Sequence, residues 1–379
     1  MDAHPWRMLS PLVLATMASQ SLLVVLAPTI VAIGRDLGAP VSTVAQARSI
    51  AAVVSVVASI VISAQADRLP VRALLGAGSA LALAACGLVA TAGSTARFLA
   101  AHALVGLAFA LLLSGGFAGV AAFPPDRRPW ATGYVAGANA LAWIVVNPLA
   151  SGLTAAASWR VAQAVPAAIA LTALVAARQA APVPSRRTTA TLWEPLRVAP
   201  ARLWIGAEVA AFTAWTSLLT FAGAFFIQQV GVDEAMAGWL LAAGAAAYLA
   251  AATRAGRITQ RVPQRRLVWV CALAMAVLLP LMLAGTEAGP AVAVFCLLGL
   301  VAGVRTPASA GLALQQLPEH PAAMMAARTA ATQSGYLLGA VVGGAVIAGP
   351  GYAALGLVLA VVMAASAWLA RRVDTGTAG

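Results

Sequence analysis

Long apolar runs separated by short polar segments make up this sequence. Twelve runs are close to the ~20 residues that an α-helix needs to cross the hydrocarbon core of a bilayer. They fall at 9–33, 44–64, 73–93, 98–122, 130–154, 161–177, 203–227, 235–253, 267–286, 290–316, 322–348 and 351–370. The longest polar interruption, 178–202, is rich in arginine and proline. It predicts a cytoplasmic linker between an N-terminal six-helix bundle, 1–177, and a C-terminal one, 203–379.

One polar segment recurs at a fixed distance along the chain. The stretch from Ser63 to Leu75 returns in weaker form as the stretch from Gly256 to Val268, 193 positions later and without gaps. The same offset relates Gly106 to Gly299. Because each repeat contains six spans, an even number, both repeats begin on the same side of the membrane and have the same orientation. The pattern therefore predicts an all-α integral membrane protein of two parallel six-helix repeats, an arrangement typical of secondary transporters.

The positions of the arginines indicate the orientation of the spans. Arg35, Arg97 and Arg160 fall in loops on one side, and Arg48, Arg305 and Arg328 fall within spans. Loops on the side of the N-terminus hold the other 17 of the 23: Arg7, Arg68, Arg72, Arg127, Arg128, Arg178, Arg186, Arg187, Arg197, Arg202, Arg254, Arg257, Arg261, Arg265, Arg266, Arg371 and Arg372. Cytoplasmic loops carry such an excess of positive charge. We therefore expect both termini in the cytoplasm.

Composition excludes several classes of protein. Hydrophobic residues form 62% of the 379 residues and charged residues 9%, whereas soluble domains carry about 25% charged residues. The net charge of +12 is explained by loop arginines, so we expect no nucleic-acid partner. Cys86, Cys271 and Cys296 lie singly in apolar runs, which predicts neither a disulfide nor a metal site. No phosphate-binding loop or catalytic constellation is present in the sequence, so we expect no cofactor and no enzymatic activity.

The polar segment between spans two and three resembles the signature loop of the major facilitator superfamily, G-x-L-a-D-r-x-G-r-[RK]-x-x-l. Asp67, Arg68, Arg72 and Leu75 match it, while Ser63, Gln65, Pro70 and Val71 do not. The resemblance implies that Asp67, Arg68 and Arg72 latch one conformer of the transporter. The alternative is that the arginines only set topology. In the second copy Gln260 replaces the aspartate, so a charge latch there is weaker or absent.

Two further stretches resemble patterns of that superfamily. In span four, His102 stands where the pattern l-x-x-x-R-x-x-q-G has the arginine associated with proton coupling. Histidine titrates near neutral pH and could carry the proton itself, or it could simply bond a backbone carbonyl. In span five, Trp143 to Gly152 is similar to the exporter pattern G-x-x-x-G-P-x-x-G-G, with Trp143 and Asn147 in place of two glycines. The chain is identified as closest to the twelve-span drug:proton antiporter, arabinose-efflux-like group.

Charges deep within a span cost roughly 2.5–3.5 kcal/mol to insert and so mark functional positions. Arg305, in span ten, is expected to face the translocation path; the alternative is a structural pair with an acid or with carbonyls near Pro307. Glu208, in span seven, is expected either to pair with Arg328 of span eleven or to be the protonatable coupling group. Arg48 lies near the outer end of span two and could snorkel to the surface.

Uncharged polar residues at similar depth complete the candidate set. Gln20, Asn139 and Gln333 fall on spans one, five and eleven, where this architecture has its cavity, and Asn147 and Trp143 lie beside them on span five. Interhelical hydrogen bonding is the alternative role for the amides. Trp215 is a second candidate for a flat cavity wall. The other tryptophans near predicted interfaces are expected to form the aromatic belt: Trp6, Trp130, Trp159, Trp204 and Trp239.

These patterns favour a monomeric secondary transporter of the cytoplasmic membrane. The excess of arginine over carboxylate within the spans predicts a small amphipathic solute that is anionic or neutral, exported in exchange for protons. The alternatives are an importer or facilitator for an organic anion, and a membrane sensor or scaffold that kept the fold without transporting.

Overall fold

The computed structural model describes residues 5–65, 69–124, 126–182 and 194–373, and these residues are helical throughout, with short connections. Asp67 and Arg68, two of the expected latch residues, lie outside the described residues; Arg72 is exposed in the first turn of the helix that begins at Val71.

The helices are Pro5–Val24 (α1), Leu26–Leu37 (α2), Val41–Ala64 (α3), Val71–Ala90 (α4), Thr95–Ala118 (α5), Arg128–Ala156 (α6), Trp159–Ala162 (α7), Ala164–Ala176 (α8), Glu194–Arg197 (α9), Ala199–Gln228 (α10), Glu234–Ala252 (α11), Ala255–Thr259 (α12), Gln264–Leu283 (α13), Ala288–Gln316 (α14), Pro321–Ala348 (α15) and Tyr352–Arg371 (α16).

Twelve candidate membrane spans emerge from the described helices by length and apolar composition. The first joins α1 and α2, the fourth is α5 with a short 3₁₀ turn, and the sixth joins α7, α8 and a second 3₁₀ turn. The remaining nine are α3, α4, α6, α10, α11, α13, α14, α15 and α16. The expected all-helical protein with twelve spans is thus confirmed. The seventh span begins at Ala199, inside the segment that the sequence assigned to the linker.

The first span is broken at Val25, between α1 and α2. Pro28 has no N–H to donate to the carbonyl of Val24, so the regular helical ladder is interrupted there. Beside this break, the hydroxyl of Thr29 donates to the carbonyl of Val25 at 2.7 Å. Helix α2 ends where Gly38 adopts a left-handed conformation, with φ of 61°, which favours glycine.

The chain divides into two compact units. Unit 1 contains residues 1–187 together with 233–242, and unit 2 contains residues 188–232 together with 243–379. In unit 1, α1 packs on α5, α6 and α8, and α4 packs on α5 and α8. In unit 2, α10 packs on α14, α15 and α16, and α13 packs on α14 and α16. The same five helix pairs therefore recur inside each unit.

The offset seen in the sequence recurs in the helix boundaries and in the packing. Helices α4 and α13 begin at Val71 and Gln264, which are 193 positions apart. The starts of α3 and α11, α5 and α14, α6 and α15, and α7 and α16 obey the same offset. These shared boundaries extend the sequence repeat to the arrangement of helices within each unit.

A close glycine contact is repeated in the two units. A Cβ added to Gly106 would fall within 3.0 Å of the backbone of Ala51, and one added to Gly299 would meet the carbonyl oxygen of Gly244. Gly244 is the repeat equivalent of Ala51, just as Gly299 is of Gly106. In both units a glycine thus lets two helix backbones approach each other closely, a common device in membrane helix packing.

Two tryptophans expected in the aromatic belt lie elsewhere. Trp204 is fully buried in the core of unit 2, beside Val268 and Leu312, and its indole N–H donates to Ser309 Oγ at 3.0 Å. Trp159 is 2% exposed and donates to Asp36. Their position near a span end suggested the interface, but α10 and α7 are covered by neighbouring helices at those levels. The other expected belt residues are exposed on the surface: Trp6, Trp130 and Trp239.

Substituting Gly106 by alanine tests the close contact between α3 and α5. The added methyl group has no space against the Ala51 backbone, so we expect Gly106→Ala to lower the free energy of unfolding by about 1–3 kcal/mol. Thermal unfolding of the detergent-solubilised protein measures the effect. Gly87→Ala is the matched control, because no atom lies within 4 Å of its added Cβ. Equal unfolding temperatures for the two variants would contradict the tight contact.

Candidate functional site

A buried ion pair lies in the interior of unit 2. One guanidinium nitrogen of Arg305, Nη2, on α14, lies 2.5 Å from Oε1 of Glu208, on α10, and the two side chains are 5% and 0% exposed. The same nitrogen lies 3.5 Å from Oγ of Ser366, on α16. Ser366 in turn donates to the carbonyl of Ala207 at 2.7 Å. Three helices of unit 2 are thereby joined through one network of polar groups.

This network leaves two polar atoms unsatisfied. Among the described residues, no hydrogen-bond partner contacts Oε2 of Glu208 or Nε of Arg305. A buried ion pair is stabilising only when its remaining lone pairs and protons are satisfied as well. The incomplete pairing points to a functional position.

The repeat shows that this scaffold does not require an ion pair. The positions of unit 1 equivalent to Glu208, Arg305 and Ser366 are Ala15, Leu112 and Ala173, and each is at most 1% exposed. Apolar residues that fill the volume of a buried ion pair are often neutral or stabilising. The pair in unit 2 is therefore difficult to explain by stability alone.

The partner of Glu208 differs from the one expected first. The pairing of Glu208 with Arg328 is wrong: Arg305 is the bound arginine. Arg305 adopts the second of its two expected roles, a structural pair with an acid. Arg328 is half-buried, with its guanidinium 6.0 Å from the centre of the Phe212 ring. Predicted depth alone placed Glu208 and Arg328 together, because the sequence does not give the direction in which a side chain leaves its helix.

Arg48 is the buried arginine of unit 1. It is 1% exposed, so it does not snorkel to the surface. Its Nη2 donates to the carbonyl of Leu23 at 2.7 Å, and its guanidinium lies 5.6 Å from the centre of the Trp143 ring. Leu23 is in the last turn of α1, where helix carbonyls lose their regular partners. Pro28 signalled in the sequence that the first span would be interrupted near this carbonyl, but it did not identify Leu23 as the acceptor.

His102 makes the backbone contact that was one of its two expected roles. Its Nδ1 lies 2.8 Å from the carbonyl of Phe98, and the side chain is 5% exposed. Nδ1 donates this bond, which leaves Nε2 as the acceptor. His102 and Gln163 line a cavity of about 10 Å³. That volume is at the lower limit for one water molecule, so this cavity is too small for a solute.

The polar residues of span five lie close to the start of span eight. Asn147 donates through Nδ2 to the carbonyl of Trp143 at 2.7 Å. A Cβ on Gly238, in the part of α11 that clusters with unit 1, would come within 2.6 Å of the Asn147 carbonyl and within 2.5 Å of Ser151. The glycine therefore allows close packing along the stretch that resembles the exporter pattern. Of the other amides, Gln20 and Gln333 are buried, whereas Asn139 is exposed.

A second polar cluster of unit 1 lies at the opposite end from the N-terminus. Oδ2 of Asp36 accepts hydrogen bonds from Nη1 of Arg160 at 2.5 Å and from the indole of Trp159 at 3.2 Å. Arg160 also donates to the carbonyl of Ala92 at 3.0 Å. The neighbouring Arg35 lies 3.4 Å from Glu234 of α11. The sequence places Trp159 and Arg160 side by side, but it did not indicate which carboxylate they bind.

A double-mutant cycle tests the ion pair of unit 2, with the apolar residues of unit 1 as replacements. We expect Glu208→Ala and Arg305→Leu each to lower the free energy of unfolding by about 3–5 kcal/mol, because each leaves an unpaired buried charge. The double variant should be more stable than either single variant. Thermal unfolding in detergent measures all three.

Arg328→Leu serves as the control partner in that cycle. Its effect should add to that of Glu208→Ala within about 0.5 kcal/mol, as is usual for residues that do not interact. A coupling energy between Glu208 and Arg328 that exceeds the one between Glu208 and Arg305 would contradict the assignment of the pair.

Comparison with known proteins places this fold in a family. A sequence profile described as Major Facilitator Superfamily matches residues 10–226 and 203–378. No curated protein sequence matches the chain. Among solved structures, the crystal structure of a D-xylose-proton symporter is similar, with a TM-score of 0.76 and 16% sequence identity. The match covers 95% of this chain and 97% of the symporter. The chain belongs to the major facilitator superfamily.

Proposed function

We propose that this protein is a secondary transporter that exports a small amphipathic solute, anionic or neutral, in exchange for protons. Membership of the superfamily and the twelve candidate spans support transport as the general activity. The solute, the direction and the coupling are inferences from the charges and contacts within each unit. We place the protein in the cytoplasmic membrane as a monomer with both termini in the cytoplasm, and within the drug:proton antiporter, arabinose-efflux-like group.

One observation on charge carries the proposed class of solute. Among the described residues, Glu208 is the only carboxylate that lies away from the ends of a candidate span, and it is bound to Arg305. A cationic solute would therefore find no available buried carboxylate among these residues. Arg328 is half-buried and supplies positive charge beside the ring of Phe212, whereas Arg48 is buried against the carbonyl of Leu23. A guanidinium group binds an anionic group of a solute, and the neighbouring ring offers an apolar face to the rest of that solute.

Aromatic side chains of unit 2 fit the amphipathic part of that solute. The rings of Trp215, on α10, and Tyr248, on α11, are inclined by only 19°, and their centres are 6.5 Å apart. Both residues are partly exposed. They supply flat apolar faces, the role expected for Trp143 and Trp215, whereas Trp143 is 8% exposed and lies against Arg48.

Glu208 is the coupling group in this proposal. Its Oε2 has no hydrogen-bond partner among the described residues and is a free site for a proton. Protonation there would remove the negative charge that holds Arg305 and would weaken the link between α10 and α14. The two protonation states would then favour different arrangements of the helices of unit 2, which is the requirement for coupling a proton to a conformational change.

The stretch from Trp143 to Gly152 supports export over import. It is similar to the pattern of exporters, and Gly238 packs closely on it. The solved relative is named a symporter, and import of an organic anion with protons is the alternative direction. In the proposed cycle, the latch is formed by Asp67, Arg68 and Arg72. A sensor or scaffold without transport activity is disfavoured, because it would not need to retain an incompletely satisfied ion pair.

Proton flux in inverted membrane vesicles tests the proposed exchange. The vesicle lumen is acidified, and a fluorescent pH indicator reports proton release when small amphipathic acids, neutral antibiotics or cationic dyes are added. We expect release with acids or neutral solutes. Glu208→Gln should abolish this proton release and leave solute counterflow intact, because the proposed proton site, Glu208, is separate from the proposed solute site. Glu319→Gln, at an exposed carboxylate, is the matched control.

Distinct results would contradict distinct parts of the proposal. Release with cationic dyes alone would overturn the argument from charge. Proton release that persists in Glu208→Gln would exclude Glu208 as the coupling group. Absence of proton movement with every class of solute, together with absence of counterflow, would favour the sensor or scaffold.

Replacing Arg328 by glutamine tests the recognition of an anion. We expect Arg328→Gln to reduce transport of acids more than transport of neutral solutes, because only the former lose a charge–charge attraction. Initial rates of counterflow for an acid and its amide measure the difference. Arg202→Gln, at an exposed arginine near the start of α10, should leave both rates unchanged. An equal loss for acid and amide would exclude Arg328 from recognition of the anion.

A further inference from the structure

One end of unit 2 carries a cluster of arginines and tryptophans that the transport site does not use. It lies where α13 begins and α16 ends, and these two helices pack against each other. The cluster comprises Arg265, Arg266, Trp269, Trp368, Arg371 and Arg372. All four arginines are exposed.

Contacts within the cluster hold it together. The guanidinium of Arg372 lies 3.7 Å from the centre of the Trp368 ring, and that of Arg371 lies 5.9 Å from the centre of the Trp269 ring. Nη1 of Arg265 donates to the carbonyl of Val373 at 3.2 Å. Val373 itself is fully buried in the core of unit 2. The chain that carries Arg371 and Arg372 is therefore fixed against the start of α13.

Among the described residues, the charge of this cluster is not balanced by a carboxylate. No carboxylate of the described residues forms an ion pair with any of the four arginines; Asp374 lies outside the described residues. Arg265 and Arg266 also lie in the first turn of α13, at the positive end of the helix dipole, where cations are unfavourable. Together these features favour an anionic partner.

The surface beside the cluster is suited to a hydrocarbon chain. Leu357, Val361 and Trp368 lie on one face of α16, at helical spacing, and are 63%, 71% and 53% exposed. This exposed apolar stripe leads along α16 to the arginines. Tryptophan prefers the boundary between acyl chains and headgroups, and guanidinium groups bind phosphate through paired hydrogen bonds.

The geometry points to a binding site for an anionic phospholipid, with its phosphate between the arginines of α13 and α16 and an acyl chain along the stripe of α16. A soluble phosphate would use the arginines but not the stripe, which is why the lipid is the favoured occupant. This site is separate from the Glu208–Arg305 pair, and the inference does not depend on the proposed direction or solute of transport.

Binding of an acyl-labelled phosphatidylglycerol to the full-length protein in detergent tests this site by fluorescence anisotropy. Arg371→Gln with Arg372→Gln should weaken binding about tenfold or more, since each arginine near a headgroup contributes a substantial share of the attraction. The same pair changed to lysine keeps the charge but loses paired hydrogen bonds, and it should give an intermediate affinity. The matched control is Arg254→Gln with Arg257→Gln, which removes two exposed arginines around α12 of the same unit and should not change binding.

Competition and a second variant complete the test. Unlabelled phosphatidylglycerol should displace the probe at far lower concentrations than phosphatidylcholine or inorganic phosphate. Trp368→Ala, which keeps all four arginines, should also weaken binding, and it tests the site should the glutamine pair fail to fold. Equal binding by the wild type and the variants, equal loss in the α12 control, or displacement by inorganic phosphate as effective as by the lipid would each overturn the proposal.

Discussion

The salt bridge between Glu208 and Arg305 constrains how the helices of unit 2 can separate. Away from water, a charge is tolerated only beside an opposite charge or several dipoles. Glu208 is fully buried, so α10 and α14 must present these side chains to each other, and Ser366 draws α16 into the same network. Any change of conformation that separates these helices must first neutralise or rehydrate the pair. In the proposed transport cycle, protonation of Glu208 would meet that requirement.

Unit 1 has apolar residues at the positions equivalent to this network. Its equivalent positions hold Ala15, Leu112 and Ala173, all buried. Its own buried arginine, Arg48, binds instead to the carbonyl of Leu23, near the break in the first span. The two units therefore share a scaffold of helices and differ in where they place buried charge. In the proposed transport cycle, a proton at Glu208 would therefore act directly on the helices of unit 2.

The sequence predicted those features that depend on one-dimensional patterns. Apolar runs gave the spans, and the offset between Gly106 and Gly299 gave the register that both packing and helix boundaries follow. It did not predict which charges meet. The sequence predicts a similar depth for Glu208 and Arg328, yet pairing depends on the direction in which each side chain leaves its helix. Trp204 shows the same limit of prediction from sequence. Its position near a span end did not indicate that neighbouring residues of unit 2 bury this part of α10.

The recurring helix boundaries have a practical consequence for protein engineering. Because α13 and α14 begin 193 positions after α4 and α5, residues of these paired helices have counterparts whose environment is known from the same molecule. A library that exchanges such counterparts samples side chains that the molecule already holds at equivalent helix positions. The molecule thus supplies its own set of compatible substitutions, from which a variant with both units apolar, or with a charged pair in each, can be assembled stepwise.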